Sequence, residues 1–532
     1  MLMQKKMTSL RTSFALASAL FASTAAFAQA IPVSNEAELK TALSNTSADI
    51  VLTQDITLSG EWIPIGTKEA PYMGTFDGKG HAIKGLTITT KADNLGFFSF
   101  IGSTATVKNV SFTGAKVLGN KQAAIVAGQA ENATISNVYV SGYVTGRDHV
   151  GTIVGDARGD ANVSAEGTII NNCVSTAAAF SSDNQAGGIA GWTNLGVFEY
   201  NVAYGAVTAP NGGAAGICSM IDNNGHASFI GNVSAMPYAK GGNNRTSGIL
   251  GWKNGSGCAI VDDDQNLSSE ATQYFVGGNL TAAADIKFDE NNDGINGIVT
   301  PAANLKTAAT YTTAGFSADV WNLVDGQYPT LKTQAAMENA IYTAQAPARY
   351  VVGTEYDTEA ASALGSAVTI TSSNPSVVAV EGTVLKFEAQ GDAVVTFTAA
   401  ATDVAPAFTT TLPITVGDIN YAITTPADLM AVKYNMAGDF TLENDIDMTG
   451  VDFTPIGIEG NTSVAKFTGT FDGKGHIIKG LKYDNADKGE VGLFSQTENA
   501  TITNLGIEGA HFVGNANVGG IVGRMYGGVI AN

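Results

Sequence analysis

The stretch Gly74-Thr-Phe-Asp-Gly-Lys-Gly-His81 returns unchanged as Gly469-Thr-Phe-Asp-Gly-Lys-Gly-His476. Each copy is followed after one residue by Ile-Lys-Gly-Leu, and the similarity continues as far as Asn120 in the first copy and Asn515 in the second. A repeat of this length indicates two copies of one structural unit, and this unit decides the fold.

The repeated phrase has the composition of a strand, a tight turn and a second strand. Thr-Phe favours a strand, the glycines suit positive-φ turn positions, and the apolar pattern then resumes. Asp77, Lys79 and His81 resemble an active-site trio, but we interpret them as turn residues that face water.

Composition and charge exclude several classes of function. The 532 residues include 62 glycines and only 14% charged residues, which is typical of a protein built from strands and turns. The net charge of −20 argues against nucleic acid or an anionic membrane as a partner.

Residues 1–28 have the pattern of an export signal. Lys5, Lys6 and Arg11 precede an apolar stretch, and Ala26-Phe27-Ala28 forms a small-residue cleavage site. No later segment has the length and apolar character of a transmembrane helix. We therefore expect an exported protein, secreted or held at the cell surface.

Two elements recur between residues 29 and 332. One is a Gly-Ile-x-Gly strand, as at 188–191 and 248–251, and the other is an asparagine near an apolar residue. These asparagines, at positions 109, 137, 172, 201, 232 and 266, are separated by 28, 35, 29, 31 and 34 residues. Such intervals, with one asparagine in each, predict a right-handed parallel β-helix with stacked asparagine side chains. A short capped helix beginning near Ser34 would cover its first coil.

Two family resemblances follow from these patterns. The Gly-Gly-Ile-x-Gly phrases at 187–191 and 519–523 resemble GLUG-motif repeats of bacterial surface proteins. Such repeats occur in adhesin-like proteins and beside the peptidase domain of some secreted immunoglobulin A proteases, so the resemblance implies surface exposure. Ser373-Asn-Pro-Ser-Val-Val-Ala-Val380 resembles bacterial immunoglobulin-like (Big) domains, which act as spacers.

The domain organisation follows from where these patterns begin and end. Short strands with turn signals between them predict an immunoglobulin-like β-sandwich at 336–417. A second β-helix begins at 418, and only a few of its coils precede Asn532. We expect the natural protein to be longer, because an open stack without a cap is unfavourable.

Catalytic and metal motifs are scarce. Neither a metal-protease, a nucleophile-elbow nor a phosphate-loop motif is present, and the five histidines lack metal-pair spacing. The acidic run Asp262-Asp-Asp264 would serve a β-helix carbohydrate enzyme, but we interpret it as a solvated loop. Asp289, Asn291 and Asp293 match half of a calcium loop; we favour a hydrated loop, with bound calcium as the alternative.

Trp192, Met220 and Trp252 occupy matching places in successive coils and should form one row along the stack. An outward row would be an apolar strip for sugar rings or a protein partner, whereas an inward row would be ordinary packing, which we favour. The three cysteines, Cys173, Cys218 and Cys258, are interpreted as core thiols, with one disulfide as the alternative.

These observations predict a non-catalytic, exported, adhesin-like protein without a cofactor. It would present a repetitive β-helix to a host or bacterial glycan or to an extracellular protein. The alternative is a non-catalytic accessory region of a larger secreted peptidase or polysaccharide-degrading enzyme.

Overall fold

A computed structural model describes residues 30–532, except residues 165, 243–244, 256, 277–278, 282–285, 287–293, 345, 348–349, 418–420 and 460–462. The chain is almost all β, with 5% helix, and contains a parallel β-solenoid of about 16 turns. The predicted all-β, parallel β-helix class is confirmed. The handedness of the coil and the immunoglobulin-like identity of the spacer stay predictions.

The strands from Ile31 to Thr300 form five ladders along the stack, nearly all of them parallel. The first ladder contains Ile31–Val33, Ile50–Leu52, Thr75–Asp77, Thr106–Leu118, Thr134–Gly146, Thr168–Asn171, Ala190–Glu199, Cys218–Ile230 and Ala259–Asp264. The second ladder adds Ile56–Thr57, Ala82–Lys84, Val174–Ser175, Val202–Ala203, Val233–Ser234, Leu267–Ser269 and Ile298–Thr300. The third ladder adds Thr87–Ile88, Ala178–Ser181, Val207–Ala209, Tyr238–Gly241 and Gln273–Val276, with Asn279–Thr281 antiparallel to the last.

The fourth and fifth ladders flank the Gly-Ile-x-Gly corners. The fourth contains Lys121–Ala123, Asp148–Gly151, Ala186–Gly187, Ala214–Ala215 and Thr246–Ser247. The fifth contains Phe98–Ile101, Ala127–Glu131, Val154–Arg158, Leu250–Lys253 and the first parts of Ala190–Glu199 and Cys218–Ile230. The isoleucine of each corner points into the solenoid interior, and the fully buried set is Ile125, Ile153, Ile189, Ile217 and Ile249.

The asparagines of the first coils form a row at a left-handed backbone position. Asn109, Asn137 and Asn172 have φ of 53°, 55° and 51°, a conformation that asparagine tolerates better than most residues. The Asn137 Nδ2 atom donates to the Asn109 Oδ1 atom over 3.0 Å. The predicted contact between stacked asparagines is therefore present from Asn109 to Asn137, whereas the Asn137 Oδ1 atom has no hydrogen-bond partner in the described structure and the Asn172 Oδ1 atom accepts from Trp321.

The later asparagines form a second row, offset by one residue. Asn201 lies opposite Cys173, and Tyr200 before it takes the left-handed position with φ of 54°. The Nδ2 atoms of Asn201 and Asn232 each donate over 3.0 Å to the Oδ1 atom of the next asparagine, ending at Asn266. The continuous row expected from the sequence is broken once, between Asn172 and Asn201. Val174 and Val202 stay directly opposite each other in these two coils, and this register places Asn201 one residue out of line with Asn172.

Residues 301–337, which we call the cover segment, lie over the outer face of the second ladder. The segment contains the helical turns Asn304–Lys306 and Ala308–Thr313 and the antiparallel strands Trp321–Asn322 and Thr330–Leu331. Trp321 is buried there among the outward-facing side chains of the solenoid, and its Nε1 atom donates to Asn172 Oδ1 over 3.0 Å. The solenoid therefore has a second apolar core outside its coils.

Two sheets around a separate core follow the cover segment and form the spacer. One has the strands Tyr350–Val351, Phe408–Gly417, Gly391–Ala399 and Val368–Ser372 in that order, and the other has Glu355–Asp357, Val384–Phe387 and Val378–Glu381. A short pair, Ile341–Tyr342 and Ala361–Ser362, lies against the solenoid through a small alanine-rich cluster.

The second copy of the repeat is a shorter parallel stack. Its main ladder is Ala422–Ile423, Asp439–Leu442, Thr470–Asp472, Phe494–Thr503 and Val522–Ala531. Its other parallel pairs are Ile446–Asp447 with Ile477–Lys479 and Gly506–Glu508, Lys482–Asp484 with His511–Val513, and Gly489–Val491 with Ala516–Val518, while Ile458–Glu459 and Ser463–Val464 are antiparallel.

Each stack begins with a short helix. Glu36–Leu43 is capped by the Asn35 side chain, which accepts from Glu38 N, and Pro426–Ala431 is capped by Thr425 with Asp428 in a capping box. The turn Val432–Tyr434 extends the second helix. Each cap satisfies one N–H group of the first helical turn, so both stacks begin with a capped helix.

Candidate functional site at the solenoid corner

The repeated phrase forms a turn in both copies. Asp77 Oδ1 accepts from Lys79 N and from the Asn109 side chain, each over 3.0 Å. Asp472 makes the same pair of contacts over 2.9 Å, to Lys474 N and to the asparagine of its next coil. Both lysines have left-handed φ angles, 52° and 48°. The turn interpretation is confirmed, but the expectation that Asp77 faces water is wrong, because its side chain is buried, closes the loop and anchors the next coil.

The two histidines of the phrase are also used locally. His81 Nδ1 lies 3.4 Å from Asp55, and His476 Nδ1 lies 3.4 Å from Asp445. Both aspartates also accept a backbone N–H from the following coil, over 3.0 Å. The phrase therefore assembles the same inter-coil contacts twice.

The row of large side chains is present at the corner. Trp192 lies directly opposite Met220, and Met220 lies directly opposite Trp252, in the parallel register of the fifth ladder. The three side chains are only 2%, 3% and 6% exposed and form a cluster separate from the solenoid interior. We call them the corner row. These side chains are buried, so they do not form the exposed apolar strip that could bind a sugar ring or a protein partner.

Cationic and amide side chains of the fourth and fifth ladders cover the corner row. His149 stacks on Trp192 with ring centroids 5.7 Å apart and planes 5° apart, and the Arg158 guanidinium lies 5.0 Å from the same ring. The Arg245 guanidinium lies 3.6 Å from the centre of the Trp252 ring. Aromatic faces attract such cations, so the three basic side chains form the outer surface of the corner.

A buried aspartate holds the first part of this cover. Asp156 is fully buried, and its Oδ1 lies 2.6 Å from His149 Nδ1. Its Oδ2 accepts from Arg158 Nη2 over 2.7 Å and from Arg158 Nε over 3.2 Å. Burial alone lowers the pKa of His149, but the contact with Asp156 and the neighbouring carboxylates outweigh it and raise that pKa above its ordinary value.

Glycines allow the two arms of the corner to touch. A Cβ on Gly191 would lie 2.4 Å from the carbonyl carbon of His149, and one on Gly213 would lie 3.0 Å from the Trp252 ring. The recurrent glycines of the corner phrase are therefore required by close approach of backbone and ring. Sequence reasoning missed the His149–Asp156–Arg158 cluster. The usable signal is that His149 lies two residues before the corner phrase 151–155 and Asp156 lies one residue after it.

The remaining predicted site residues are not gathered at the corner. Asp289, Asn291 and Asp293 lie outside the described residues. Within the part of the chain that is described, no group of three or more His, Cys, Asp or Glu side chains could hold a metal ion.

The acidic run lies at the exposed end of the first ladder, on the strand Ala259–Asp264. Burial of its carboxyl group raises the pKa of Asp263; a hydrogen bond from Asn266 opposes this, and Asp262 and Asp264 add to it. The three carboxylates therefore repel one another on this strand, and the Asn266 side chain donates a hydrogen bond to Asp263.

The three cysteines are buried and free, so the core-thiol interpretation is confirmed. Burial raises the pKa of Cys173 and of Cys218 to about 12, which leaves both thiols protonated and unreactive. Among the helices that the structure describes, none has the length and apolar character needed to cross a membrane.

Sequence comparison gives one partial relative. No protein-family model matches the chain, so the GLUG and Big resemblances stay predictions. Halomucin from Haloquadratum walsbyi is 35% identical over 111 residues, which are 21% of this chain and 1% of halomucin. The match thus spans about one hundredth of a far longer protein.

Comparison of structures gives distant neighbours, and two of them are named for immunoglobulin A1 proteases. The crystal structure of a candidate immunoglobulin A1 protease from Bacteroides ovatus has a TM-score of 0.49 at 21% identity, covering 57% of this chain and 93% of the other. A second solved structure, an immunoglobulin A1 protease, has a TM-score of 0.33 at 13% identity, over 56% of this chain and 25% of its own. Both likenesses are too distant to transfer an activity.

Proposed function

We propose that this chain is an exported, non-catalytic, adhesin-like protein whose stacked coils bind a glycan or an extracellular protein. Its export would depend on residues 1–28, which lie outside the described residues. The parallel register supports the proposal, because equivalent side chains recur along the stack at about 4.8 Å, the spacing of neighbouring strands. An extended partner can therefore touch several coils at once.

The observation that carries the proposal is the line of basic groups over the corner row. In a chain of net charge −20, His149, Arg158 and Arg245 come to the surface along one edge. The rings beneath them fix the guanidinium planes, while the buried Asp156 pairs with both His149 and Arg158 and offsets one of their charges. The buried aromatic residues therefore act as a support, and the contact with a ligand is made by the cations above them.

Binding of residues 29–532 to glycan arrays and to extracellular matrix proteins tests this function. Arg245→Gln removes one corner cation, and we expect it to weaken binding roughly tenfold without lowering the melting temperature. Arg524→Gln is the matched control, because Arg524 also lies over an aromatic ring, 4.9 Å from Tyr526, but in the second stack.

Three outcomes would overturn the proposal. The first is an absence of binding to every glycan and protein tested, and the second is equal loss of binding in the two arginine variants. The third is cleavage of immunoglobulin A1 or of a polysaccharide by the purified chain, since this would contradict a non-catalytic role.

A further inference from the structure

The spacer contains a strand with an open edge. Val368–Ser372 is the outermost strand of the four-stranded sheet and, among the described residues, pairs only with Gly391–Ala399. Thr369 and Thr371 are exposed on the outer face of this sheet, where they lie opposite Thr398 and Thr396.

The hydrogen-bond register shows which backbone groups face outward. Ala400 N donates to Ala367 O, and Ser373 N donates to Val394 O. Antiparallel partners alternate between hydrogen-bonded and non-hydrogen-bonded pairs, so Thr369 and Thr371 also bond inward. The N–H and C=O groups that point away from the sheet are those of Val368, Ile370 and Ser372.

This edge lacks the features that usually prevent strands from pairing. Residues 361–380 contain no Asp, Glu, Lys, Arg or His, although the whole chain has a net charge of −20. The strand contains no proline and no bulge. Natural edge strands normally carry such protection, so an uncharged and regular edge is a template for another strand.

The other side of the same sheet is protected. Tyr350–Val351 pairs with residues 416–417 of the strand Phe408–Gly417 and leaves the rest of that strand as the edge among the described residues. Pro413 lies opposite Val394, whose backbone groups are turned towards Val368–Ser372. Pro413 therefore faces outward on Phe408–Gly417, at a place where it offers no N–H. One edge of the sheet is blocked and the other is left open.

We propose that the strand Val368–Ser372 pairs antiparallel with the same strand of a second copy of this chain. A two-fold axis at Ile370 places Ile370 opposite Ile370 and Val368 opposite Ser372 of the other copy. Each outward-facing residue then exchanges two hydrogen bonds, which gives about six across the interface. Thr369 meets Thr371 of the second copy, a favourable cross-strand pair.

The self-complementary register is the reason for choosing a second copy as the occupant, because a two-fold axis pairs Ile370 with Ile370 and Thr369 with Thr371 of an identical strand. Two chains of the same strong negative charge repel one another over most of their surfaces, and residues 361–380 form an uncharged run where close approach carries no such penalty. A five-residue strand buries less than the roughly 1,000 Å² that a stable interface needs, so the association is weak in solution. It becomes effective when copies are held close together, and it does not depend on ligand binding at the corner.

Sedimentation and light scattering across a concentration series test the proposal. Thr369→Lys with Thr371→Lys puts lysines opposite each other in both cross-strand pairs, and should weaken self-association roughly tenfold or more. Thr409→Lys with Thr411→Lys adds the same charge to the same face at the blocked edge and should leave self-association unchanged.

A charge-swap arm identifies the edge directly. Thr369→Glu with Thr371→Glu should also weaken self-association, and mixing the lysine and glutamate variants should restore pairing as a heterodimer, visible by native mass spectrometry. The proposal is overturned if wild-type chain stays monomeric up to roughly millimolar concentration, where even a millimolar Kd would show. It is equally overturned if the blocked-edge variant weakens association as much, or if mixing restores nothing.

Discussion

The buried asparagine row makes a prediction that separates hydrogen bonding from packing. Asn232 is fully buried, and its Nδ2 atom donates to Phe198 O over 2.8 Å and to Asn266 Oδ1 over 3.0 Å. Its Oδ1 atom accepts from the backbone N and the Nδ2 atom of Asn201, over 3.2 and 3.0 Å. One side chain therefore satisfies polar groups of the coils on both sides.

Asn232→Ala should destabilise these coils by about 3 kcal/mol, because it leaves at least two buried groups, Asn201 N–H and Phe198 C=O, without this partner at about 1–3 kcal/mol each. Asn232→Asp keeps the volume of the side chain but aims a carboxylate oxygen at Phe198 O and Asn266 Oδ1. It should cost at least as much as alanine. One carboxylate oxygen keeps the Asn201 donors, but the other faces two acceptors, and this buried repulsion is more unfavourable than a small cavity.

Hydrogen exchange is the suitable assay, because a chain with several cores does not unfold in one step. About 3 kcal/mol corresponds to roughly 100-fold faster exchange of amides in Ala190–Glu199 and Cys218–Ile230. Asn211→Ala is the control, since this exposed asparagine makes a single contact to Asp183 over 3.1 Å. Wild-type protection in Asn232→Asp, or equal effects of the two alanine variants, would refute the hydrogen-bond argument.

Three further predictions concern the corner, the cover segment and the turns. Because the pKa of His149 is raised, its contact with Asp156 stabilises the fold below pH about 6.5, and this stabilisation is lost as the pH rises through the folded-state pKa. The variant His149→Gln lacks this titration, so its melting temperature should fall less between about pH 6 and pH 8. Trp321→Ala should cost about 3–5 kcal/mol and expose the cover segment to limited proteolysis before the coils open. Gly142→Ala should lower the melting temperature strongly, because φ at Gly142 is 121° and the added Cβ would lie 2.0 Å from a backbone oxygen. Gly114→Ala is the control: φ is 61° and the added Cβ would meet nothing within 4 Å, so the same thermal measurement should show a loss of only about 1 kcal/mol.

The parts of the fold that repeat could be predicted from the sequence. The glycine and isoleucine of each corner, and the asparagine between corners, recur because each coil meets the same steric demand as the one before it. The row of Trp192, Met220 and Trp252 followed from the same counting. The break in the asparagine row could not be predicted in this way, because its position depends on which of two adjacent residues adopts the left-handed backbone conformation.

Features made by a single segment were not predictable. The cluster of His149, Asp156 and Arg158 depends on two arms that meet only after the corner folds, and neither arm is repeated in other coils. The sequence of the cover segment does not reveal that Trp321 packs on the outside of the solenoid. Periodicity predicts what every coil shares, and unique contacts require the structure.

The outer core also determines how the spacer is attached. Tyr139 projects from the solenoid, and its hydroxyl accepts from Glu338 N over 2.7 Å. The Glu338 carboxylate accepts from Ser141 on the same strand over 3.0 Å, and Tyr342 packs edge-on against Tyr143 at 5.6 Å. Because hydrogen bonds and rings secure the chain on both sides of the junction, the spacer begins as a docked element and not as a free linker. A pairing strand on such a docked spacer would restrict the relative orientation of two solenoids as well as join the chains.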